Sequence, residues 1–443
     1  MNRLLMTLTF SLFLLNLCLG QIPKEAFPLT NSLSALWHNG ETEKAIESSL
    51  ELYRLYPPMF IERIHNTLAQ QLQNDSQLYG QKYLEQLLLK KNDEISNIIS
   101  PIYLWSKSIN AKNENDLKEV LEELKSILKD SSNYKSETER YCLLILQELD
   151  KKNVIDANNK EVILQKNINN LEAYPYINKV ITGRQESEKR AWHRYLLAYS
   201  YNYLYTVKPN VSEYLKKASD YSPDLNDRQY KHAYFYDAAL LTGNTRDFGF
   251  QTKYQKYLVG NNRNSDALDL LSDIAFGTPS DDNIIALRQF YEKLKYNSPF
   301  TDYWANYIHK KGKPVPKLKI QFEKEELDLT VKSNRWIYID VWGTWCDPCR
   351  KELPELQSFF VENINRNNSK LMIYTFSFGS QNLSDFMAEN KYTFPVSEID
   401  KQTNDLFEVS GYPTKILISP EGNFIKIPFG VDWKAYIKNY TMM

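Results

Sequence analysis

Helical spacing of apolar residues dominates the chain from residue 21 to about residue 308. Apolar residues recur three and four positions apart and charged residues fill the gaps, as in "ETEKAIESSLELYRL" and "ENDLKEVLEELKSILKD". This spacing places the apolar side chains on one face of an α-helix. No convincing β run interrupts these segments. We therefore predict an all-α domain over residues 21–308.

Three of these segments share a layout that resembles the tetratricopeptide repeat. A short polar or Gly/Pro turn ("HNGET", "VKPNV" or "TGNTR") precedes a helix that ends near Pro57, Pro223 or Gly260. The spacing is irregular and small residues at the packing positions are mostly absent, so a degenerate repeat or an irregular bundle is predicted. Stacked helix pairs would offer a surface for protein or peptide partners. A purely structural spacer is the alternative.

The pattern changes after residue 308. The segment "HKKGKPVPKLK", residues 309–319, has no periodicity and is predicted to be a linker. Beyond it, "RWIYIDVW", "KLMIYTFSF", "TKILISP" and "NFIKIPF" are predicted strands, because β-branched and aromatic residues fill them. Helical patterns over 348–361, "LSDFMAENK" and "WKAYIKNY" accompany these strands. The predicted fold class is multidomain, with an all-α domain followed by an α/β domain over residues 320–443.

The first twenty residues have the pattern of a secretory signal peptide. Arg3 precedes an apolar stretch from Leu4 to Leu19, and small residues stand at positions 18 and 20. Cleavage after Gly20 is predicted, with export to the periplasm or cell envelope. An uncleaved membrane anchor is one alternative. Lipidation of Cys18 is another, although Leu17 is bulky where such sites favour a small residue. Either alternative would tether the protein to a membrane through its N-terminus.

Charge and cysteine content narrow the function classes. The 443 residues carry a net charge of −1, which gives no electrostatic reason to expect nucleic acid as a partner. Cys142 lies on the apolar stripe of a helix pattern and is predicted to be a buried small hydrophobe, with a third redox thiol as the alternative. No metal site is expected around Cys346 and Cys349, because tetrahedral zinc needs four ligands and no histidine follows His309.

The stretch "WGTWCDPCRKELPEL" contains a Cys-x-x-Cys pair between a predicted strand and a predicted helix. A thiol at a helix N-terminus faces unpaired N–H groups and the positive end of the helix dipole, which lowers its pKa. Cys346 is therefore the candidate nucleophile, and Cys349, one turn on, the candidate resolving thiol. Pro348 suits the first helical turn. Asp347 adds negative charge beside Cys346 and is expected to favour the reducing direction.

The segment "DVWGTWCDPCRKELPEL" resembles the active-site segment of the thioredoxin superfamily, most closely its exported TlpA/ResA-like branch. The resemblance implies that Asp340 is a buried acid that exchanges a proton with Cys349. It also implies that Pro354 kinks the active-site helix. The Asp-Pro dipeptide between the cysteines departs from the commoner Gly-Pro. The segment before the first strand is short, so an abbreviated N-terminal hairpin is expected.

A second segment, "SGYPTKILISPEG", carries the same resemblance. It implies that Pro413 is a cis-proline and that Pro413 and Tyr412 hold the substrate strand, while Trp345 shields the cysteine pair. "YTFPVSEID" is similar to a strand entry of the same branch. The resemblance covers about residues 316–443.

These observations predict an exported thiol–disulfide oxidoreductase that reduces disulfides of exported proteins. Its redox group is the disulfide of Cys346 and Cys349, with no other cofactor, and an upstream thiol protein would supply electrons. The helical domain would recruit partners. The alternatives are a disulfide oxidase or isomerase on the same scaffold, and a helical-repeat binding protein with an inactive thioredoxin-like domain. A peroxiredoxin is disfavoured because Thr344 lies two residues before Cys346 rather than three.

Overall fold

The computed structural model describes residues 22–442, apart from 131–134, 136, 180, 182, 225, 226, 228, 229, 246–248 and 365–369. The predicted signal peptide and Cys18 lie outside these residues. None of the helices described is long and apolar enough to cross a membrane. The chain divides into two compact units. The first comprises the described residues of 22–178, 192–221 and 232–245, and the second those of 179–191, 222–231 and 249–442.

The first unit is built from α-helices in the described residues, as the apolar spacing predicts. Its helices are α1 (Ala26–Asn39), α2 (Thr42–Leu55), α3 (Pro57–Glu62), α4 (Ala69–Leu72), α5 (Tyr79–Leu88), α6 (Asp93–Asn110), α7 (Glu114–Ile127), α8 (Thr138–Lys151), α9 (Ala157–Glu172), residues 192–207 of α10 (Arg184–Val207), α11 (Ser212–Tyr221) and α12 (Phe235–Thr242). A π-helical turn, Arg63–Leu68, joins α3 to α4. The tetratricopeptide-like layout stays a prediction.

A buried ion pair links two helices of this unit. The Arg140 guanidinium donates from Nε to Asp237 Oδ1 at 2.6 Å and from Nη2 to Asp237 Oδ2 at 2.8 Å. A third donation, from Nη1, reaches the backbone carbonyl of His65 at 2.9 Å. Because a buried charge is tolerated only when it is paired and hydrogen-bonded, these contacts fix α8 against α12. Cys142 lies nearby on α8, fully buried as predicted, and burial raises the pKa of its thiol.

The second unit combines helices with a mixed β-sheet. Its helices are residues 184–191 of α10, α13 (Gln251–Gly260), α14 (Asn264–Gly277), α15 (Asp281–Lys293), α16 (Phe300–Lys311), α17 (Asp347–Ile364), α18 (Leu383–Glu389), α19 (Lys401–Leu406) and α20 (Trp433–Thr441). Its strands are β1 (Lys313–Pro314), β2 (Lys319–Gln321), β3 (Glu326–Asp328), β4 (Trp336–Trp342), β5 (Leu371–Phe378), β6 (Val396–Ile399), β7 (Thr414–Ile418) and β8 (Asn423–Ile427). The predicted α/β fold is confirmed.

The main sheet has the strand order β1-β8-β7-β4-β5-β6. Strands β4, β5 and β6 are parallel, whereas β7 and β8 form an antiparallel hairpin beside β4. The N-terminal hairpin of β2 and β3 is present and short, with three residues in each strand. The active-site strand β4 therefore lies near the centre of the sheet, between β5 and β7.

Side chains alternate along β4 and supply two apolar cores. Tyr338 and Trp342 join one core with Leu353 of α17 and Trp433 of α20. Ile337, Ile339 and Val341 face the opposite side, where the residues of the β2–β3 hairpin cover them. Because successive strand residues point to opposite faces, Asp340 lies on the same face as Tyr338 and Trp342, toward α17.

The second unit begins before the predicted domain boundary at residue 308. Trp304 of α16 is fully buried, and its indole N–H donates to the backbone carbonyl of Asn439 on α20 at 3.0 Å. The Asn439 amide in turn donates to the carbonyl of Pro279 at 2.6 Å. The predicted linker over 309–319 contains the end of α16 and strand β1, in which Lys313 pairs with Phe424 of β8. The compact unit therefore begins before the predicted boundary, because α16 packs its apolar face against α20 of the α/β part.

Candidate active site

The cysteine pair lies where the central strand β4 gives way to helix α17. Cys346 and Cys349 form a disulfide with an S–S distance of 2.06 Å and a Cα–Cα distance of 5.3 Å. The backbone N–H of Cys349 donates to Cys346 Sγ at 3.3 Å. Such a donor in the first turn of a helix stabilises negative charge on the sulfur. The predicted position of Cys346 at a helix N-terminus is therefore observed.

Both cysteines of the pair are almost fully buried. Cys346 is 5% exposed and Cys349 is 1% exposed. The disulfide ties the sulfur of Cys346 to that of the buried Cys349. The neighbouring Trp345 is 54% exposed and is the large apolar side chain that stands in solvent at this turn.

The end of strand β5 holds the turn before Cys346. The Thr344 backbone N–H donates to Ser380 Oγ at 2.9 Å, and the Ser377 hydroxyl donates to the same oxygen at 2.5 Å. The Trp345 indole N–H donates to the carbonyl of Phe378 at 3.0 Å. These bonds fix both the backbone of the turn and the orientation of the indole. Sequence reasoning missed Ser377, Phe378 and Ser380, because nothing in the pattern signals which loop faces the turn.

The loop before β7 brings Tyr412 beside the active-site tryptophan. The peptide bond between Tyr412 and Pro413 is cis, in agreement with the resemblance. The Tyr412 ring stacks on Phe378 with ring centres 5.8 Å apart and meets Trp345 edge to face at 5.2 Å. Its hydroxyl donates to Asn404 Oδ1 at 3.0 Å. Tyr412 packs against the core cluster that contains both cysteines and also contacts Trp345, so Trp345, Tyr412 and Pro413 lie close together.

Asp340 is a buried carboxyl group on β4. It is 3% exposed, and Oδ2 accepts a hydrogen bond from the Tyr338 hydroxyl at 3.1 Å. Its other oxygen, Oδ1, is buried and accepts no hydrogen bond within the described part of the chain. Burial raises the pKa of Asp340 from 3.8 to about 6, and the Lys415 ammonium opposes this rise. Asp340 is buried, as the resemblance implies, and its raised pKa suits a group that exchanges protons near neutral pH.

A lysine that the sequence analysis did not single out lies beside Asp340. Lys415 of β7 is directly opposite Asp340 in the sheet register and is 6% exposed. Its Nζ is 3.6 Å from Asp340 Oδ2 and donates a hydrogen bond to Glu352 Oε2 of α17. The sequence offers one signal, a lysine in the mainly apolar strand "TKILI". The residue opposite it cannot be read from the sequence, because that depends on how β4 and β7 align.

Two cations at the start of α17 pair with the Asp347 carboxylate. Asp347 lies 3.2 Å from Arg350 and 2.7 Å from Lys351, and these partners lower its pKa, Lys351 more strongly. We expected Asp347 to bring uncompensated negative charge to Cys346. The two cations offset that charge, so Asp347 carries less weight in the reducing direction than its sequence position suggests.

The two prolines of α17 have the predicted places in the helix. Pro348 is the second residue of the helix, where a missing N–H costs nothing. Pro354 lies inside the helix, which continues to Ile364. Across the described residues there is no group of three or more His, Cys, Asp or Glu side chains that could hold a metal ion.

Residues 311–427 match the AhpC/TSA family. The chain is 29% identical over 126 residues to the thiol-disulfide oxidoreductase ResA of Bacillus subtilis (strain 168), which covers 26% of this chain and 65% of that protein. It is 29% identical over 136 residues to the sporulation thiol-disulfide oxidoreductase A of the same strain, covering 29% of this chain and 79% of that protein. The match to ResA thus spans less than two thirds of its length.

Solved structures are also similar to this part of the chain. The pneumococcal exposed lipoprotein thioredoxin Etrx1 from Streptococcus pneumoniae strain TIGR4 aligns with 19% identity and a TM-score of 0.25, covering 29% of this chain and all of that one. Sequence similarity and the observed sheet lead to one conclusion about the C-terminal part of the chain. Residues 311–427 are similar to the AhpC/TSA family and to ResA-type thiol-disulfide oxidoreductases, and the sheet and helices of this part match a thioredoxin-like domain.

Proposed function

We propose that the protein is an exported thiol–disulfide oxidoreductase that reduces disulfides of other exported proteins. The observation that carries this proposal is the disulfide of Cys346 and Cys349 at the start of α17, with a backbone N–H donated to Cys346 Sγ. A two-residue gap closes too small a loop for the bond to stabilise the fold much. Redox chemistry explains such a bond better than stability does.

The reaction begins from the reduced pair. The Cys346 thiolate attacks one sulfur of a substrate disulfide, forms a mixed disulfide, and releases the other substrate sulfur as a thiolate that takes a proton. Cys349 then loses its proton to Asp340 and attacks Cys346 Sγ. That attack forms the Cys346–Cys349 bond and releases the second substrate thiol. The substrate gains two electrons, and the protein is left as the disulfide form described above.

The surface around the pair supports a role in holding an extended substrate segment. Trp345 and Tyr412 form a fixed aromatic pair, since Phe378 accepts the indole N–H of one and stacks on the ring of the other. Pro413 follows Tyr412 through the cis bond. A substrate strand laid along this loop would bring its disulfide to Cys346, with Trp345 limiting the approach of water.

Trapping tests the proposal directly. Cys349→Ser removes the resolving thiol, so the variant should accumulate a mixed disulfide through Cys346 in its native compartment, which mass spectrometry would identify. The double variant Cys346→Ser/Cys349→Ser is the matched control and should trap nothing. Adducts equal in the two variants, or none in either, would contradict a redox role and favour a binding protein with an inactive domain.

The direction of the reaction has its own test. No histidine lies between the cysteines, and strongly oxidising relatives carry one there. We expect a potential nearer the roughly −270 mV of thioredoxin than the roughly −120 mV of strong oxidants. Equilibration with glutathione or dithiothreitol buffers measures it. A reduction potential near the roughly −120 mV of strong oxidants would instead indicate a disulfide oxidase or isomerase.

The helical unit is proposed to recruit partners. A polar groove of about 500 Å³ runs between α8 and α10, and Gln147, Asp150, Lys151 and Tyr203 are among its lining residues. Lys151→Glu reverses one exposed charge there without disturbing the core. We expect it to lower the yield of trapped adducts while the rate with a small disulfide is unchanged. An unchanged yield of trapped adducts would favour the alternative, in which the helical unit is a purely structural spacer.

A further inference from the structure

The residue two positions before Cys346 is held from both sides. The Thr344 backbone N–H donates to Ser380 Oγ at 2.9 Å, from the loop after β5. The Thr344 carbonyl accepts a hydrogen bond from Arg350 Nη1 at 3.1 Å, from the first turn of α17. Side chains of two different elements thus restrain the two peptide groups of one residue. Ser380 and Arg350, with their bonds to Thr344, are termed the turn clamp.

The Ser380 side of the turn clamp is anchored in the sheet. Ser377 of β5 is fully buried and donates its hydroxyl to Ser380 Oγ at 2.5 Å. Between them, Gly379 has a φ of 61°, a left-handed conformation that glycine adopts without a steric cost. This turn returns the Ser380 hydroxyl to the end of β5. The acceptor of the Thr344 N–H is therefore tied to the strand that pairs with β4.

The Arg350 side of the turn clamp is oriented by a carboxylate. Arg350 Nη2 donates to Asp347 Oδ1 at 3.2 Å while Nη1 reaches Thr344. The guanidinium can hold both acceptors at once because its donors form a rigid, planar fork. The bond to Thr344 closes the segment 344–350, which contains both cysteines, into a loop. Lys351 also pairs with Asp347, at 2.7 Å, but makes no hydrogen bond to Thr344 in the part of the chain that the structure describes.

The turn clamp matters most when the disulfide is reduced. In the oxidised protein, the bond between the sulfurs of Cys346 and Cys349 itself restrains the segment. Reduction breaks that covalent link but removes none of the donors and acceptors of the turn clamp. Reduced Cys346 is the form that attacks a substrate disulfide. A reacting group displaced by about 1 Å can lower a rate about a hundredfold, so restraint of the preceding residue has its largest effect in the state that reacts.

We propose that Ser380 and Arg350 are positioning residues of the thiol–disulfide reaction, which hold Thr344 from both sides and so keep reduced Cys346 in place to attack a substrate disulfide. This inference rests on the proposed function. Neither bond of the turn clamp reaches a reacting sulfur, so the clamp acts on the placement of Cys346. The rate of attack by fully ionised Cys346 isolates placement from acidity, because the thiolate fraction no longer changes with pH there.

Reaction of the reduced full-length chain with excess oxidised glutathione measures that rate. Cys346 attacks one glutathione sulfur, the glutathione S–S bond breaks, and the other glutathione leaves as a thiolate. Cys349 then displaces the bound glutathione and closes the protein disulfide. Quenched-flow with acid quenching and mass spectrometry follows the disappearance of the reduced protein, which the first attack governs. The pH is raised until this rate reaches its alkaline plateau.

We expect Ser380→Ala and Arg350→Met each to lower the plateau rate about tenfold, since each releases one side of Thr344. Lys351→Met is the matched control, because it also removes a cation that pairs with Asp347 and leaves Thr344 held, and it should keep the wild-type plateau. A shifted pH midpoint shared by the two charge-removing variants reports charge, whereas a lower plateau in Arg350→Met alone reports placement. Ser380→Thr keeps the hydroxyl and should restore most of the rate.

The double variant Ser380→Ala/Arg350→Met tests whether both bonds serve one restraint. Once one side of Thr344 is released, the other bond holds less, so the double loss should be smaller than the product of the single losses. Arg350 is 46% exposed, so its replacement leaves the core intact. Single variants that both keep the plateau of Lys351→Met, or losses that multiply in the double variant, would overturn the inference. Wild-type protein that does not react with oxidised glutathione would instead contradict the proposed function.

Discussion

At the scale of single residues, Asp340 combines burial with a missing hydrogen bond. Its pKa of about 6 lies above the ordinary value of 3.8 because burial penalises the charged carboxylate. In the unfolded chain the same group releases its proton near pH 3.8. The folded state therefore binds a proton more tightly, and its stability falls as pH rises from about 4 through about 6.

Replacing Asp340 by asparagine removes that penalty. Asp340→Asn should raise the free energy of unfolding at pH 8 by about 2–3 kcal/mol, from roughly two pKa units at 1.36 kcal/mol each, with little difference from wild type below pH 3.5. Urea unfolding at the two pH values measures it. The variant should also resolve the mixed disulfide on Cys346 slowly, because asparagine cannot take the proton of Cys349.

Asp347→Asn serves as the control, since the Asp347 pKa is lowered by Lys351 and Arg350 and its loss should not stabilise the fold. Greater stability of Asp340→Asn at both pH values alike would show that packing, not ionisation, governs the site.

Cys142 gives a second prediction at this scale. Its thiol is fully buried, and burial raises its pKa. After reduction, iodoacetamide should modify Cys346 and leave Cys142 unmodified in the folded protein, while 6 M guanidinium chloride exposes Cys142 to the reagent. Peptide mapping by mass spectrometry distinguishes the two. Rapid modification of Cys142 without denaturant would contradict its burial and favour the alternative that it is a third redox thiol.

At the scale of elements, the turn between β4 and α17 is tightly confined. A methyl group added at Gly343 would lie 2.9 Å from the Phe378 carbonyl and 2.5 Å from the Trp345 indole nitrogen. We expect Gly343→Ala to displace Trp345 and break its hydrogen bond to Phe378. The reaction with oxidised glutathione should slow about tenfold or more, and the tryptophan fluorescence should change, because a misplaced reacting group costs catalysis heavily.

Gly411→Ala is the comparison for this prediction. Gly411 lies in the loop before Tyr412, and a methyl group there would meet nothing within 4 Å. Its kinetics and fluorescence should therefore match those of wild type. Equal losses in the two variants would show general sensitivity of the loops rather than confinement of the turn.

The elements of the C-terminal domain were predictable, and their mutual register was not. β4, β5, β7 and β8 follow directly from short runs of β-branched and aromatic residues, and α17 from the pattern after Cys346. The thiol pair and the cis bond at Pro413 followed from local motifs. The pairing of Asp340 with Lys415 depends on how β4 and β7 align, which tertiary packing decides. A sequence shows that Lys415 is unusual in its strand without showing its partner.

At the scale of the whole molecule, the division into units could not be read from helical periodicity. The pattern of α16 shows an apolar face but not which surface covers it. That face packs within the second unit, where Trp304 donates to Asn439 and Tyr440 donates its hydroxyl to Phe276 of α14 at 2.6 Å. The change from helical to mixed pattern near residue 309 therefore marks a change of element type and not the edge of the compact unit.

Trp304→Ala tests whether the packing of α16 stabilises the second unit. The indole is fully buried, so its loss should lower the free energy of unfolding of the second unit by about 3–5 kcal/mol. Denaturant unfolding followed by near-ultraviolet circular dichroism reports it.

Ile285→Ala on α15, where the side chain is 50% exposed, should cost far less and controls for helix substitution. If Trp304→Ala lowered stability no more than Ile285→Ala, α16 would be an independent element.

The hydrogen bond from Trp304 to Asn439 has a practical corollary for anyone who isolates the redox part. A fragment that begins at Lys313 lacks α16. The surface of α20 that α16 covers, including Tyr440, would then be exposed to water. Such a fragment would be prone to aggregate for reasons unrelated to its chemistry. A fragment that starts at Gly249 keeps α13–α16 and so keeps α20 covered, and we expect it to aggregate less than the fragment cut at Lys313.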